Sequence, residues 1–252
     1  MILLKDIVAF LNGYLAVDEI DDSSWNGLQF EGSEGVSRIV LAVDAGIDTF
    51  ERAREENAQM IVVHHGHFWK GENPSLTGWG KRRMDILYRY RLSLYACHLL
   101  LDRHEEVGNN ALLLRMLEAP PLEGFIYRGR SNVGWIGERS APITIGEVDE
   151  VLKRELNADT TVLPFGTGEI KRIAVCTGGG GYDGFYESLR KQVDLYITGD
   201  TVEVFHTAKD AGINVIFAGH HATEILGVRA LAVPLQDNFG VETVFVDLPT
   251  GL

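Results

Sequence analysis

The sequence predicts an α/β fold made of two similar halves with mixed sheets. Apolar runs rich in β-branched residues alternate with helix-period segments along most of the 252 residues. Three of these strand–helix stretches also recur, in the same order, later in the chain. The composition, 45% hydrophobic and 23% charged, is typical of a globular protein that can bury a large core.

The first half begins with an amphipathic helix, because Leu3, Leu4, Ile7 and Leu11 recur at helical spacing. Uninterrupted β-branched runs then predict buried strands. A later helix ends at Pro120, because proline cannot continue a helix. The predicted strands are 38–44, 60–64 and 92–97, and the further predicted helices are 47–56 and 110–120.

The second half follows a stretch of polar, glycine-containing turns at 123–140, which we interpret as a crossover. Thr144 can cap a helix over 146–156, because a threonine side chain accepts a hydrogen bond from the first helical turn. Apolar runs predict strands at 173–176, 195–197, 213–218 and 243–246. We therefore place the first half at 1–124 plus 219–252 and the second half at 125–218.

The internal repeat pairs three segments of each half. Residues 38–51 align with 172–186, residues 59–67 with 194–202, and residues 92–102 with 213–224. In the last pair an apolar strand ends in a histidine, and a carboxylate follows four residues later. Any two strand–helix stretches can be aligned by chance, but three matched elements in one order favour a duplication.

Charge and cysteine content exclude several classes of protein. The chain has 36 acidic and 23 Lys or Arg residues, a net charge of −13, which argues against a surface that binds nucleic acid throughout. No apolar run exceeds five residues, so no membrane span is expected. The buried setting of Cys97 and Cys176 indicates reduced thiols in a cytoplasmic protein. The basic run 81–83 is short and indicates a solvated helix start.

Histidines at the ends of predicted strands indicate a metal site. The chain has eight His, and four of them form the adjacent pairs His64-His65 and His220-His221. Strand carboxyl ends are where α/β folds bind ligands, and imidazole is a common metal ligand. Neighbouring residues on a strand point to opposite faces, so the two members of a pair could serve different ions. A single histidine could be structural, but the constellation with nearby carboxylates favours Zn, Fe or Mn.

Four segments resemble the signatures of one known family. They read Trp25-NGLQFEG-Ser33, Ile61-VVHHGHFW-Lys70, His98-LLLDRHEEVGNNALL-Leu114 and Ala218-GHHATEILGVRAL-Ala232. Together they resemble the Nif-three-like family, and the resemblance covers nearly the whole chain. Members of that family are described as GTP cyclohydrolase 1 type 2 homologs and dinuclear-metal hexameric proteins. The resemblance therefore implies a homohexamer with two divalent metal ions per subunit, in the cleft between the halves.

The resemblance also implies roles for single residues. His64 and His65 match the family's adjacent histidine ligands, one for each ion, and Asp102 matches its aspartate ligand. His220 matches a further histidine ligand. Glu224 matches the carboxylate that bridges both ions, and it is the catalytic candidate together with metal-bound water. The candidates for supporting the ligands or lining the pocket are His98, His104, His221 and His67.

A glycine-rich turn follows the strand predicted at 173–176. Residues 179–184 satisfy G-x-G-x-x-G, and Asp200 lies near the position of a ribose-binding acid, so a dinucleotide site is one interpretation. The turn also aligns with the strand–helix junction that follows Asp44 in the first copy, so in a second interpretation it is simply the same junction of the second copy. In a third interpretation, the backbone N–H groups of Gly179, Gly180 and Gly181 bind an anionic part of a substrate.

The resemblance implies a metal-dependent hydrolase with a nucleotide-like substrate. If the substrate is GTP, a metal-activated water opens its imidazole ring and formate is released. The alternative is a ring-shaped, metal-stabilised protein that binds nucleic acid or has a regulatory role without turnover. The net charge of −13 weighs against that alternative. The expected partners are a small nucleotide-like molecule and further copies of the chain, with no membrane.

Overall fold

The computed structural model describes residues 1–252 and confirms the mixed α/β class. None of its helices combines the length and the apolar character that crossing a bilayer requires. The strands are β1 (Ile2–Leu3), β2 (Gly27–Phe30), β3 (Gly35–Val36), β4 (Arg38–Asp44), β5 (Met60–His65), β6 (Ser93–Ala96), β7 (Pro121–Arg128), β8 (Ser131–Ile143), β9 (Thr161–Pro164), β10 (Ile170–Cys176), β11 (Leu195–Thr198), β12 (Asn214–Phe217) and β13 (Glu242–Phe245). The α-helices are α1 (Leu4–Tyr14), α2 (Ile47–Glu55), α3 (Gly78–Tyr90), α4 (Leu99–Asp102), α5 (Asn109–Met116), α6 (Ile145–Leu156), α7 (Gly181–Arg190), α8 (Phe205–Ala211), α9 (His220–Ala230) and α10 (Ala232–Phe239).

The chain divides into two compact units. The first unit comprises Met1–Leu101 and Gly227–Leu248, and the second comprises Asp102–Leu226 and Pro249–Leu252. Each unit has its own mixed sheet, with helices in the connections between its strands. The chain therefore passes into the second unit at residue 102, returns to the first unit at residue 227, and ends with residues 249–252 in the second unit.

These units differ from the predicted halves in three segments, namely 102–124, 219–226 and the last residues 249–252. Residues 102–124 belong to the second unit, because β7 pairs with β8 in that unit's sheet. Residues 219–226 also belong to it, because Thr223 accepts a hydrogen bond from the backbone N–H of Gly178. The stretch 123–140, which we interpreted as a crossover, forms most of the β7–β8 hairpin instead.

The sheet of the first unit has the strand order β13-β4-β5-β6-β2. Its first four strands are parallel, and β2 pairs antiparallel with β6. All but the terminal residues of β4 and β5 are buried, as expected for parallel strands covered on both faces. Phe50 of α2 and Leu87 of α3 belong to the same buried apolar cluster as Val40 and Ile61 of these strands.

The sheet of the second unit has the strand order β7-β8-β10-β11-β12-β9. Its three inner strands β10, β11 and β12 are parallel, and β8 and β9 flank them antiparallel. Helix α6 begins as the sequence predicts. Thr144 Oγ1 accepts a hydrogen bond from Glu147 N, and the Glu147 carboxylate accepts one from Thr144 N.

Both units contain the same central arrangement, which confirms the prediction of two similar halves. Strands β4, β5 and β6 are parallel neighbours in chain order, and so are β10, β11 and β12. In each unit an antiparallel strand flanks the third of these strands. The units differ beside the first strand, where one has parallel β13 and the other antiparallel β8. In each unit, the carboxyl ends of the three strands lead into the candidate site residues.

Candidate metal centre

Three histidines of the first unit lie together at the carboxyl ends of β5 and β6. The ring centroid of His64 is 4.7 Å from that of His65 and 5.1 Å from that of His98. The centroids of His65 and His98 are 5.5 Å apart. A ligating nitrogen from each ring lies within 4.8 Å of the other two, so the spacing suits a metal ion. We call His64, His65 and His98 the three-histidine cluster.

Each ring of this cluster is oriented by a hydrogen bond at Nδ1. The acceptors are Asp44 Oδ1 for His65 at 2.8 Å, Asp22 Oδ1 for His98 at 2.8 Å, and the Cys97 carbonyl for His64 at 3.1 Å. Such contacts fix the tautomer and the orientation of an imidazole, so that Nε2 is the nitrogen presented to a metal. This pattern is typical of histidine ligands in metal sites.

The carboxylate of Asp22 holds His98 and the chain around it. It is only 4% exposed and accepts hydrogen bonds from Ser24 N, Asn26 Nδ2 and Leu99 N. Burial raises the pKa of Asp22, but the hydrogen bond and charge of His98 and two further donors outweigh it and lower the pKa to about 2. Asn26 Oδ1 also accepts from His98 N at 2.8 Å. The asparagine of the Asn-Gly-Leu-Gln element therefore supports the cluster.

The glutamine of that element fixes the turn that follows the cluster. Gln29 Oε1 accepts hydrogen bonds from His67 N at 2.7 Å and Phe68 N at 3.2 Å. Its Nε2 donates to the carbonyls of Trp25 and Phe68. A Cβ on Gly66 would lie 2.4 Å from Gln29 Nε2, so this close packing requires glycine. Apart from the family resemblance, no pattern in the sequence indicates this role.

In the second unit, Asp102 is a buried carboxylate at the end of α4. It is 3% exposed, and both Asn109 Nδ2 at 2.8 Å and Thr177 Oγ1 at 3.1 Å donate to its Oδ1. Asn110 links the backbones of the same two residues, because its Nδ2 donates to the Asp102 carbonyl and its Oδ1 accepts from Thr177 N. The orientation of the Asp102 carboxylate is thus set by α5 and by the residue that follows β10.

His220 and Glu224 face each other across the first turn of α9. His220 Nε2 is 3.3 Å from Glu224 Oε1, and His220 Nδ1 is 2.8 Å from Asp200 Oδ1. The hydrogen bond to Glu224, together with the charge of Glu224 and the contact with Asp200, raises the pKa of His220 to about 9 against the effect of burial. Glu224 itself is 2% exposed. Asp200 thus orients His220, as Asp44 orients His65.

Two glycines allow the backbone to approach these residues closely. A Cβ on Gly178, whose φ is +58°, would lie 2.0 Å from Glu224 Oε1. A Cβ on Gly199 would lie 2.8 Å from the Cα of His220. The nearby Cys176 thiol is buried, which, with the charges of Asp102 and Glu224, raises its pKa well above the usual range. The candidate donors of this region are the imidazole of His220 and the carboxylates of Asp102 and Glu224.

The remaining predicted residues lie at different places. His67 lines a cavity in the first unit, and His104 Nδ1 accepts hydrogen bonds from Glu106 N and Val107 N in a turn of the second unit. His221 is buried in α9. None of these three belongs to the three-histidine cluster.

The glycine-rich turn at the start of α7 packs against a tyrosine. A Cβ on Gly180 would lie 2.1 Å from the hydroxyl of Tyr196, and one on Gly184 would lie 2.3 Å from it. Asp200, the acid that a dinucleotide site would use, contacts His220. Close packing explains two of the glycines, and anion binding by Gly179, Gly180 and Gly181 stays a prediction.

Histidines at strand ends, held by carboxylates and accompanied by buried Asp and Glu, define an α/β protein with a candidate site for divalent metal ions. The sequence model of the Duf34/NIF3 (NGG1p interacting factor 3) family matches residues 2–250. The chain belongs to this family, which confirms the resemblance found in its motifs.

Individual relatives match the chain over its whole length. The GTP cyclohydrolase 1 type 2 homolog of Pyrococcus abyssi is 43% identical over 251 residues, covering 98% of this chain and 99% of the relative. Among solved structures, protein ybgI is 34% identical with a TM-score of 0.92, and TTHA1606 from Thermus thermophilus is 36% identical with a TM-score of 0.88. Both matches cover 100% of both chains.

Proposed function

We propose that the chain is a metal-dependent hydrolase that acts on a nucleotide-like substrate. In this proposal two divalent ions per subunit, Zn, Fe or Mn, are bound by His64, His65, Asp102, His220 and Glu224. The observation that carries the proposal is the common orientation of the histidines, since His64, His65 and His220 each have Nδ1 against an oxygen acceptor. The geometry of the three-histidine cluster adds His98 to the candidate ligands.

The chemistry of the donors fits divalent ions. Asp102 and Glu224 are both almost fully buried, and buried carboxylates are costly unless positive charge compensates them. Imidazole and carboxylate donors suit Zn, Fe and Mn, and the candidate groups in the structure consist of these donors alone. When bound, such ions polarise a substrate and lower the pKa of a coordinated water.

The chain's own residues have distinct tasks in this proposal. Asp44, Asp22 and Asp200 hold the imidazoles in position by their contacts at Nδ1. Glu224 has two carboxylate oxygens and can therefore contact both ions. Gly178 packs closely against the Glu224 carboxylate beside His220. Any side chain at position 178 would collide with this carboxylate.

The identity of the substrate is the part of the proposal that rests on the relatives. The name of the Pyrococcus abyssi relative, GTP cyclohydrolase 1 type 2 homolog, makes GTP the first compound to test. The proposed assembly is a homohexamer, and the proposed location is the cytoplasm. The assembly rests on the family resemblance, and the location on two buried cysteine thiols.

Metal analysis tests the ligand assignment. Protein purified under anaerobic conditions should contain two ions per chain. Glu224→Ala should lose both ions, whereas Asp102→Ala should chiefly weaken one, and the exposed control Glu203→Ala should keep both. Two ions retained by Glu224→Ala would contradict the bridging role.

A hydrolase screen then tests the activity. Each metal is restored in turn, and formate release from GTP is measured first. Metal-dependent release that Glu224→Ala abolishes would support the proposal. Salt-dependent binding of single-stranded DNA without turnover of any compound would favour the alternative of a nucleic-acid-binding protein.

A further inference from the structure

The first unit contains a cavity of about 1180 Å³ beside the three-histidine cluster. This volume lies slightly above the range of roughly 300–1,000 Å³ typical of small-molecule sites. Its walls come from the Asn-Gly-Leu-Gln element, from the turn that follows β5 and from the first two turns of α3. The ring of Trp69 in its wall is 5.0 Å from the ring of His98 and 6.1 Å from that of His65. A ligand in this cavity would therefore lie next to the candidate metal ligands.

Several aromatic rings line the cavity. Three of the four tryptophans in the chain line the cavity, namely Trp25, Trp69 and Trp79. Trp25 is 56% exposed and Trp79 is 60% exposed, although large aromatic side chains are usually well buried. Partly exposed rings that line one cavity suit a planar ligand, because flat rings stack on one another with little loss of side-chain freedom.

A guanidinium group lies among these rings. Arg83 is one helical turn after Trp79 in α3, and its guanidinium carbon lies 5.1 Å from the centre of the Trp79 ring. Its Nη1 is 3.4 Å from His67 Nδ1. Lys81 and Arg82 are exposed, as expected for a solvated helix start, whereas Arg83 is half-buried and lines the cavity.

The charges around Arg83 favour an anionic group. Arginine keeps its charge in proteins and offers planar pairs of N–H donors that match carboxylate and phosphate oxygens. Asp44 lies near enough to raise the pKa of Arg83, which burial lowers, but Asp44 also contacts His65. The acidic residue in the lining is Glu72, which lies on the exposed segment 71–79.

The inner wall of the cavity is held in place by hydrogen bonds. Gln29 joins the Trp25 segment to the turn at Phe68, and Trp25 N donates to the Phe68 carbonyl at 3.1 Å. Trp69 Nε1 donates to the Gly66 carbonyl at 3.2 Å. The backbone of Trp25 and the ring of Trp69 are therefore held by hydrogen bonds within the protein, which lowers the entropy cost of binding.

We propose that this cavity binds a planar heteroaromatic ring that carries an anionic oxygen group. The ring stacks against the tryptophans, and Arg83 contacts the anion. The proposal deepens the proposed function and rests on it in one respect, namely that the bound molecule is the substrate. Binding itself requires only the cavity, so it can be measured without metal.

The test uses tryptophan fluorescence with three probes in the presence of a chelator. Guanosine monophosphate carries both the heteroaromatic ring and the anionic phosphate. Guanosine lacks the phosphate, and ribose 5-phosphate lacks the ring. We expect the monophosphate to quench the fluorescence and to bind at least about tenfold more tightly than guanosine, because a charge-assisted contact is added. Ribose 5-phosphate should bind more weakly still. Absence of saturable binding by the monophosphate up to millimolar concentration would overturn the proposal.

Matched variants identify the groups responsible. Arg83→Gln should reduce the affinity for the monophosphate to that for guanosine, and the neighbouring Arg82→Gln should change nothing. Trp79→Leu should weaken both nucleoside probes, whereas the exposed Tyr88→Leu should not. Wild-type affinity in both Arg83→Gln and Trp79→Leu would overturn the proposal, and circular dichroism checks that each variant is folded.

Two further measurements distinguish this ligand site from an interface between copies of the chain, and test it separately from the proposed hydrolase function. If Arg83→Gln or Trp79→Leu changes the oligomeric state in sedimentation and leaves probe binding unchanged, the cavity is an interface between copies and the proposal is wrong. If the probes bind as expected but no metal restores hydrolysis of any compound, the ligand site stands and the hydrolase function fails. Glu224→Ala should keep probe binding in the metal-free protein, because it does not line this cavity.

Discussion

Replacement of Asp44 by Asn tests whether carboxylates orient the metal ligands. Asp44 Oδ1 accepts a hydrogen bond from His65 Nδ1 at 2.8 Å, and its side chain is 43% exposed. Loss of such a supporting partner typically lowers metal affinity by about 10–100-fold, which corresponds to about 1.4–2.7 kcal/mol. Because solvent screens this pair, we expect the lower end, a loss of about tenfold for one ion.

Asp22 supports His98 as Asp44 supports His65, but it is buried, so its replacement should cause the larger loss of metal affinity. It accepts from His98 and from three further donors, and its side chain is nearly inaccessible. Asp22→Asn should therefore weaken metal binding by about 100-fold and also destabilise the metal-free protein, since an amide NH₂ would face donors. Asp44→Asn should leave the melting temperature of the metal-free protein nearly unchanged.

Competition with a chromophoric chelator measures the affinity, and calorimetry of the metal-free protein measures the stability. The control is Asp85→Asn, which removes an exposed carboxylate that contacts Lys81 in α3. The reasoning would be refuted if Asp44→Asn bound both ions with wild-type affinity, or if Asp85→Asn lost as much affinity as Asp44→Asn.

Three further predictions concern backbone fit, pH and metal linkage. Gly178→Ala should lower the free energy of unfolding by about 2–5 kcal/mol in denaturant titration, because its φ is +58° and its Cβ would meet Glu224. Gly146→Ala, which meets nothing within 4 Å, should be neutral or stabilising, and equal effects would contradict the steric argument. The pKa of Asp149 is lowered, because hydrogen bonds from Lys153 and Thr160 outweigh its burial, so its contribution to stability is present above the unfolded value of 3.8 and is lost as pH falls through the lower folded value. Asp149→Asn should therefore lower the melting temperature at pH 7, and this loss should shrink as the pH falls below 3.8; a loss that does not depend on pH would be inconsistent with this linkage. Added metal ions should raise the melting temperature of the metal-free wild type by an amount that grows with ion concentration. An equal rise in melting temperature for Glu224→Ala would argue against metal binding at this residue.

The central strands could be predicted from the sequence because their signal is local. Residues 39–43 and 60–63 form uninterrupted apolar runs, which the buried positions of β4 and β5 require on both faces. The repeat then placed β10, β11 and β12 in the same roles. The hairpin of β7 and β8 was missed because its burial pattern is irregular and its register shifts between Pro121 and Glu123. The predicted boundary at residue 124 therefore differs from that of the compact units.

The candidate site could be predicted only in part, because its supporting contacts are far apart in sequence. The histidine pair and the spacing of four residues between His220 and Glu224 are visible in the chain. The partner of His98 is Asp22, which lies 76 residues away, and no local pattern connects them. The role of Arg83 could not be predicted for the same reason. The basic run 81–83 is typical of a solvated helix surface, and only the packing of α3 places Arg83 beside the tryptophans.

The two units use equivalent positions of the repeated fold for different tasks. The third strand of each unit is followed by a histidine, His98 after β6 and His220 after β12, and each has Nδ1 against an aspartate. At the end of the second strand, however, the first unit has His65, whereas the aligned residue of the second unit is Asp200, which orients His220. A position that supplies a candidate ligand in one unit thus supplies its support in the other. In the first unit, Asp22 from the segment before β2 orients His98. In the second unit, Asp200, which follows the second strand, orients His220 in the same way. Duplication accounts for the shared framework. Divergence at the ends of the second strands, where His64 and His65 of the first unit align with Gly199 and Asp200 of the second, explains why three histidines cluster in the first unit, whereas of their counterparts in the second unit only His220 is a histidine.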